Sequence, residues 1–393
     1  MSIASLFPEL AQPPQTHNTG IIPSQSIAAL ICSGHISAST PIAPDQIQPA
    51  SLDLRLGALA YRVRASFLPN GTSTVARRLR DMELHDEAFP LDLSSPLVLE
   101  RDHVYLVQLM ESLNLPAEVS GKANPKSTTG RLDVFTRLIT DYATQFERVS
   151  PGYKGPLYVE IIPRTFSLIV RAGSKLNQLR LVRGSPSASD RHLNSLHSES
   201  TLVYSEHGLP RDAMIAHGLW LSIDLEGDEN HGKIVGYRSK VDPCVIDFDK
   251  KYAYQPLEYW DPIRQSERRQ LLLVPDFLYI LASKERIRIP PTHAAEMVPY
   301  DPSFGEFRVH YAGFFDPGFG YGNDDILGTR AVLEVRSYGV PCVLEDGQVV
   351  ARLVFERLTA APSRVYGEGI GSSYQGQDLR LGRQFKSVSV AAL

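Results

Sequence analysis

The run Asn124-Pro125-Lys126-Ser127-Thr128-Thr129-Gly130-Arg131-Leu132 gathers hydroxyls, a Lys and an Arg into one short, Gly-containing loop. Such a set can hold a polyanion through charge-assisted hydrogen bonds, and the guanidinium adds a planar fork that an ammonium lacks. Far along the chain from the loop and from each other, two carboxylates interrupt apolar runs: Glu160 in Leu157-Tyr158-Val159-Glu160, and Glu334 in Ala331-Val332-Leu333-Glu334. A charge in such a run is costly unless it is paired or functional. An ionised carboxylate within hydrogen-bond reach of a water can take its proton and hand it on. The plainer alternative is an outward-facing residue, because strand alternation turns every second side chain to water.

The elements that must position these groups are short strands. Tyr158–Ile162, Phe166–Val170, Val332–Val335 and Val349–Phe355 are rich in β-branched and aromatic residues. Pro/Gly turns such as Ser150-Pro151-Gly152-Tyr153 and Asp316-Pro317-Gly318-Phe319 separate them. Many short strands with regular turns predict an all-β sandwich or barrel. Helical periodicity is confined to Ser24–Cys32 and a short segment near Pro262–Arg269.

The chain also repeats itself. Asp102-His103-Val104-Tyr105-Leu106-Val107 and Asp276-Phe277-Leu278-Tyr279-Ile280-Leu281 are offset by 174 residues. Pro116 and Pro290, Pro125 and Pro299, Glu160 and Glu334, and Gly173 and Gly347 keep that offset, and Ser51-Leu52-Asp53-Leu54 echoes Ser222-Ile223-Asp224-Leu225 at 171. A period this long is a domain duplication, since solenoid repeats run ~20–50 residues. The polar, Ser- and His-rich stretch 184–210 reads as a linker or long loop, which predicts domains 1–210 and 211–393 with cores at about 40–190 and 215–365.

With 393 residues, 43% of them hydrophobic and 21% charged, the chain can build two globular cores. A net charge of -4 argues against a general nucleic-acid binder, which needs a basic surplus. Cys32, Cys244 and Cys342 are far apart, fitting a reducing compartment and giving no disulfide framework. Neither they nor His192, His197, His207 and His217 have the spacing of a zinc site, and these histidines read as solvated linker or surface residues. No run approaches the ~20 apolar residues needed to span a bilayer, and the N-terminus lacks a signal-peptide pattern. The expectation is a cytoplasmic protein with no membrane partner.

Three segments together resemble one family: Ile47-Gln48-Pro49-Ala50-Ser51-Leu52-Asp53-Leu54-Arg55-Leu56-Gly57, the Lys126–Arg131 loop, and Ala312-Gly313-Phe314-Phe315-Asp316-Pro317-Gly318-Phe319. They are similar, in order, to signatures of the dCTP deaminases, in the superfamily of trimeric all-β nucleotide hydrolases shared with the dUTPases. The resemblance implies two tandem dUTPase-like β-barrel or jelly-roll domains with a few short helices. It also implies a homo-oligomer of threefold or pseudo-threefold symmetry, acting on dCTP or dUTP. In that family each site lies between subunits, with the loop from one and the base- and sugar-binding hairpin from its neighbour.

The two halves have diverged in complementary ways. At the 174 offset, Lys126, Ser127, Thr128 and Arg131 fall on Tyr300, Asp301, Pro302 and Gly305, so the second half lacks the basic loop. Aligned on the turn, Asp316 of the second half meets Ser150 of the first, which therefore lacks the Asp that would bond the deoxyribose 3'-hydroxyl. Each half carries an eight-residue insertion in a different place: Pro125 to Pro151 is 26 residues against 18 for Pro299 to Pro317, and Pro151 to Glu160 is 9 against 17 for Pro317 to Glu334. One full set of motifs is thus spread over two half-degenerate copies.

The resemblance implies specific roles. Glu334 is the favoured general acid/base, because its half keeps Asp316, with Glu160 as the rival. Ser127 and the Ala312 carbonyl would position the water, and Arg131 would orient base and carboxylate. Lys126 and Thr128 would hold triphosphate oxygens, joined by Tyr374 and Gln377 of a C-terminal segment that also carries Arg380 and Arg383. Magnesium would come only with the triphosphate, and zinc is not expected. Lys126 and Thr128 stand where the family usually has Arg and Ser, and Tyr321–Gly328 lengthens the hairpin where the base should bind. Three readings compete: a dCTP deaminase releasing dUTP and ammonia, a dUTP pyrophosphatase or bifunctional enzyme, and a nucleotide-binding module without catalysis.

Overall fold

The computed structural model describes residues 17–227, 229, 232–298, 307–310 (backbone only), 313–321, 327–367, 374 and 376–387. The chain is mostly β and divides into two units. The first comprises residues 18–186 and 244–250; the second comprises 187–243 and 251 onward, with His17.

In the first unit, one antiparallel sheet runs Ala88–Asp92, Leu56–Val63, Val104–Asn114, Lys154–Pro163, Val134–Thr140. A second runs Gly20–Ile21, Asn177–Arg183, Val119–Pro125, Arg148–Val149. In the second unit the corresponding orders are Trp260–Arg264, Ile234–Ser239, Tyr279–Ile287, Thr329–Ser337, Phe307–His310 and Leu219–Ser222, Val349–Arg357, His293–Val298, Phe314–Phe315. The duplication read from the sequence is therefore present in the strand order. It also holds residue by residue: Glu160 pairs across from Leu106, and Glu334 from Ile280, the residue 174 positions on.

Burial explains why these runs become strands. Leu281, Leu333, Leu353 and Phe355 of the second unit's two larger sheets share one hydrophobic core with Leu221 and Ile223. At about 25 cal/mol per Å2 of apolar surface removed from water, each fully buried Leu or Phe contributes on the order of 1.5–3 kcal/mol. In the first unit, Val63, Leu106, Ile139 and Tyr158 pack against Val75 and Leu79 of the helix Val75–Glu83. Thr74 caps that helix, accepting the Arg77 N–H at 3.2 Å.

Two local expectations are corrected. Helix Ser24–Cys32 forms as expected, but Pro262–Arg269 is not helical. Pro262 sits in strand Trp260–Arg264 at the sheet edge, where its missing N–H leaves no ladder bond unmade. The polar stretch 184–210 also has structure of its own, in helix Asp190–Glu199, capped by Ser189 and anchored by buried Leu193. Asp190 further accepts the His217 and Gly218 N–H groups at 2.7 and 3.0 Å. The contacts divide the chain near 186/187, and the strand Ile246–Asp247 belongs to the first unit, pairing in parallel with Leu168–Val170.

Helix Asp190–Glu199 brings His192 against the buried His293, Nε2 to Nε2 at 3.1 Å. His192 is an exposed residue, as expected, and its ring reaches the buried His293. Burial, with His192, His17 and Arg357 nearby, pushes the His293 pKa down to about 3. The unfolded chain takes up this proton near pH 6.5 and the folded one does not. Stability from a neutral His293 is therefore complete above about pH 6.5 and falls as pH drops toward 3, by up to about 1.4 kcal/mol per pH unit. His293→Gln should flatten the unfolding free energy measured by urea denaturation between pH 6.5 and 4.

Candidate active site

Lys126–Arg131 is an ordered helical turn. Lys126 occupies the N-cap position of Ser127–Gly130 without a side-chain cap bond, and the Arg131 N–H donates to the Ser127 carbonyl at 3.1 Å. The Lys126 N–H and the Thr129 hydroxyl both donate to the Leu176 carbonyl, at 2.9 and 2.7 Å, pinning the turn to the start of strand Asn177–Arg183. Thr128 and Arg131 are buried, while the Ser127 side chain is exposed. The loop thus presents Ser127 and the half-buried Lys126 to solvent and roots Arg131 in the unit.

The structure adds Asp53, which the sequence marks only as part of a motif, to this loop. Lys126 Nζ donates to Asp53 Oδ2, the buried Asp of Ser51-Leu52-Asp53-Leu54. Asp53 Oδ1 is buried with no hydrogen-bond partner among the described residues. The first two signatures are therefore one piece of structure. The second unit keeps the Asp at 224, but having no Lys at position 300 it pairs Asp224 Oδ2 with Arg330 Nη1 at 2.5 Å.

Glu160 and Glu334 are both almost fully buried, at 1% and 5% exposure, which removes the outward-facing alternative. Their neighbours differ. In the first unit Arg137 stands directly across the ladder from Glu160. Its Nε and Nη2 both reach Glu160 Oε1, at 2.9 and 2.5 Å, and its guanidinium lies 3.7 Å over the Phe146 ring. Ser66 takes a further Nη2 bond at 2.7 Å. In the second unit the ladder position opposite Glu334 is His310. Arg137 carried no motif signal, and only the strand pairing reveals its part.

The hairpin after position 313 is tightly determined. Asp316 is buried, and its carbonyl accepts the Phe319 N–H at 3.1 Å. Gly318 has φ +90°, and a Cβ there would lie 2.9 Å from the Val365 Cβ, so only Gly fits. Ala312 lies outside the described residues. Tyr374 and Gln377 are both buried, and the segment after them is anchored by Phe385, edge-on to Trp260 at 5.9 Å.

A family model described as the 2'-deoxycytidine 5'-triphosphate deaminase (DCD) N-terminal domain matches residues 18–185, and one for the C-terminal domain matches residues 189–385. The chain belongs to the dCTP deaminase family. The crystal structure of 2'-deoxycytidine 5'-triphosphate deaminase from Agrobacterium tumefaciens superposes with a TM-score of 0.84 at 48% identity, covering 90% of this chain and 100% of that one. A "dCTP deaminase, dUMP-forming" of Halobacterium salinarum is 34% identical over 113 residues, 28% of this chain; the match spans about half, 53%, of that relative. One of Nocardia farcinica with the same name is 25% identical over 206 residues, 50% of this chain and 98% of its own. No helix among the described residues is long and apolar enough to cross a membrane.

For a member of the deaminase family, the loop makes a definite kinetic prediction. On the role that the resemblance implies, Lys126→Ala should mainly raise KM for the triphosphate, because a charge holding the phosphates acts on ground and transition states alike. It should also lower the melting temperature, since buried Asp53 loses its cation, and Lys126→Ala with Asp53→Asn should recover that loss but not KM. Ser127→Ala and Arg131→Ala should lower kcat more than they change binding. Unchanged kinetics in all three single variants would make the loop a plain turn.

Proposed function

We propose that this chain deaminates dCTP, releasing dUTP and ammonia to supply dUMP and dTTP synthesis. Ionised Glu334 takes a proton from water attacking C4 of the cytosine and passes it to the ring and the departing amine. Ser127 and the Ala312 carbonyl align that water, and Arg131 fixes the base. Asp316 accepts the 3'-hydroxyl of the sugar. Lys126 and Thr128 bind the triphosphate, with Tyr374 and Gln377 from the C-terminal segment.

The observation that carries this reading is the Arg137 contact on Glu160. Glu160, at 1% exposure, is held by two guanidinium bonds, whereas Glu334 shares its unit with Asp316. Lysine and hydroxyl donors at Lys126 and Thr128 suit phosphate oxygens, and magnesium would come only with the nucleotide, offsetting its charge. We read each half as a dUTPase-like barrel, and the working enzyme as a cytoplasmic homo-oligomer of threefold or pseudo-threefold symmetry.

A second reading has a specific observation behind it. The Halobacterium and Nocardia relatives are named dUMP-forming, which supports a bifunctional enzyme that also cleaves the triphosphate. Chromatography of products from dCTP and dUTP separates the readings. Ammonia with dUTP accumulating supports deamination alone, and dUMP with pyrophosphate supports the bifunctional enzyme. Absence of both products would leave only a nucleotide-binding module.

A further inference from the structure

In the second unit, two arginines face each other across an antiparallel ladder. Arg286 on strand Tyr279–Ile287 pairs directly with Arg330 on strand Thr329–Ser337, just beyond a register shift between Ala282 and Arg286. Like charges directly opposite are destabilising unless an anion lies between them. The first unit has uncharged Ser112 and Pro156 at the same ladder position, so the fold does not require this pair.

The charge is balanced from three directions. Arg330, 8% exposed at its side chain, bonds Asp224 at 2.5 Å and approaches Glu206 at 3.4 Å. Arg286 has one acid within ion-pair distance among the described residues, Asp378 at 2.5 Å. The same Asp378 oxygen lies 3.9 Å from Arg330 Nε. Asp378 is thus a single carboxylate oxygen shared by two guanidinium groups. The Nε atoms of both arginines are buried with no hydrogen-bond partner among the described residues. One carboxylate of the C-terminal segment therefore leaves donors unused that a tetrahedral anion with more oxygens would satisfy.

We propose that Arg286 and Arg330 form a phosphate-binding site, distinct from the Lys126 loop, which Asp378 occupies until a polyphosphate displaces it. The ligand is a phosphate chain, either free or on a nucleoside triphosphate. Its binding exchanges one acceptor oxygen for several and releases the hold of Asp378. The site stands on charge and geometry alone and does not depend on the proposed reaction.

Titration calorimetry of the full chain with tripolyphosphate tests this. Asp378→Asn leaves a neutral occupant, and its affinity should rise by about tenfold or more over wild type, the scale of one charge-assisted bond. Arg286→Gln added to Asp378→Asn should abolish the gain, while sites elsewhere, including the Lys126 loop, stay constant. ATP in place of tripolyphosphate should show the same gain if the phosphate chain alone is read, and a larger one if a nucleoside triphosphate is the ligand. In parallel, Asp378→Asn should melt lower than wild type in dilute buffer and recover with tripolyphosphate, but not with sodium chloride of equal ionic strength. Equal affinity in wild type and Asp378→Asn, or a gain that survives Arg286→Gln, overturns the proposal.

Discussion

Glu334→Gln should lose about 10²–10⁴ in deaminase kcat, the usual contribution of a general acid–base group, while still binding dCTP. Gln matches Glu in size and keeps a hydrogen-bonding end, so the buried strand around it, Thr329–Ser337, has little reason to change. What disappears is the capacity to take the water proton. Glu160→Gln should retain most activity, because that carboxylate is already committed to Arg137. Base, sugar and proton carrier must be held by one rigid hairpin, since a displacement of ~1 Å can lower the rate about a hundredfold. Only the second unit combines the Glu with Asp316, the residue proposed to hold the sugar. Ammonia release under saturating dCTP, with dCTP affinity measured separately, checks both variants. A reversed pattern would put the chemistry in the first unit.

Arg137→Ala should produce the largest stability loss. Glu160 is 2% exposed at its side chain and Arg137 24%, so truncation leaves a buried carboxylate without its cation. Breaking a buried pair this way costs roughly 3–5 kcal/mol, and the partial exposure of Arg137 places the expectation near about 3. For a domain of this size that lowers the melting temperature by about 6–12 °C. Arg137→Met combined with Glu160→Leu should recover most of the loss, because a well-packed apolar pair replaces a buried ion pair at little or no cost. The same double variant also reports on chemistry. Deaminase activity near wild type confirms that Glu160 is structural, and loss of activity at normal stability would return it to the reaction.

Much of this arrangement was legible in the sequence because it rests on local signals. The 174-residue offset fixed which strands correspond, and alternation with Pro/Gly turns fixed the β class. Helix Ser24–Cys32 was legible from its periodicity. What was hidden depends on pairing at a distance. Arg137 and Glu160 meet only when two strands come into register, and neither residue type announces the partner. The Lys126–Asp53 contact joins residues 73 apart. The strand Ile246–Asp247, placed in the first unit by its ladder with Leu168–Val170, carries no composition change to mark it. Helix Asp190–Glu199 was masked by its polar Ser and His, since a single buried Leu193 is a faint apolar stripe. Pro262 misled in the opposite direction, because an edge strand tolerates proline.

On the proposed reaction, the cytosine ring is worked on by the second unit's Glu334. A crystal structure of the Glu334→Gln variant with dCTP bound tests it most directly, because the variant holds substrate without turning it over. The cytosine C4 and its attacking water should lie beside position 334, within about hydrogen-bond reach of that side chain, with the 3'-hydroxyl on Asp316. Cytosine bound instead against Glu160, with Arg137 drawn away from it, would put the chemistry in the first unit.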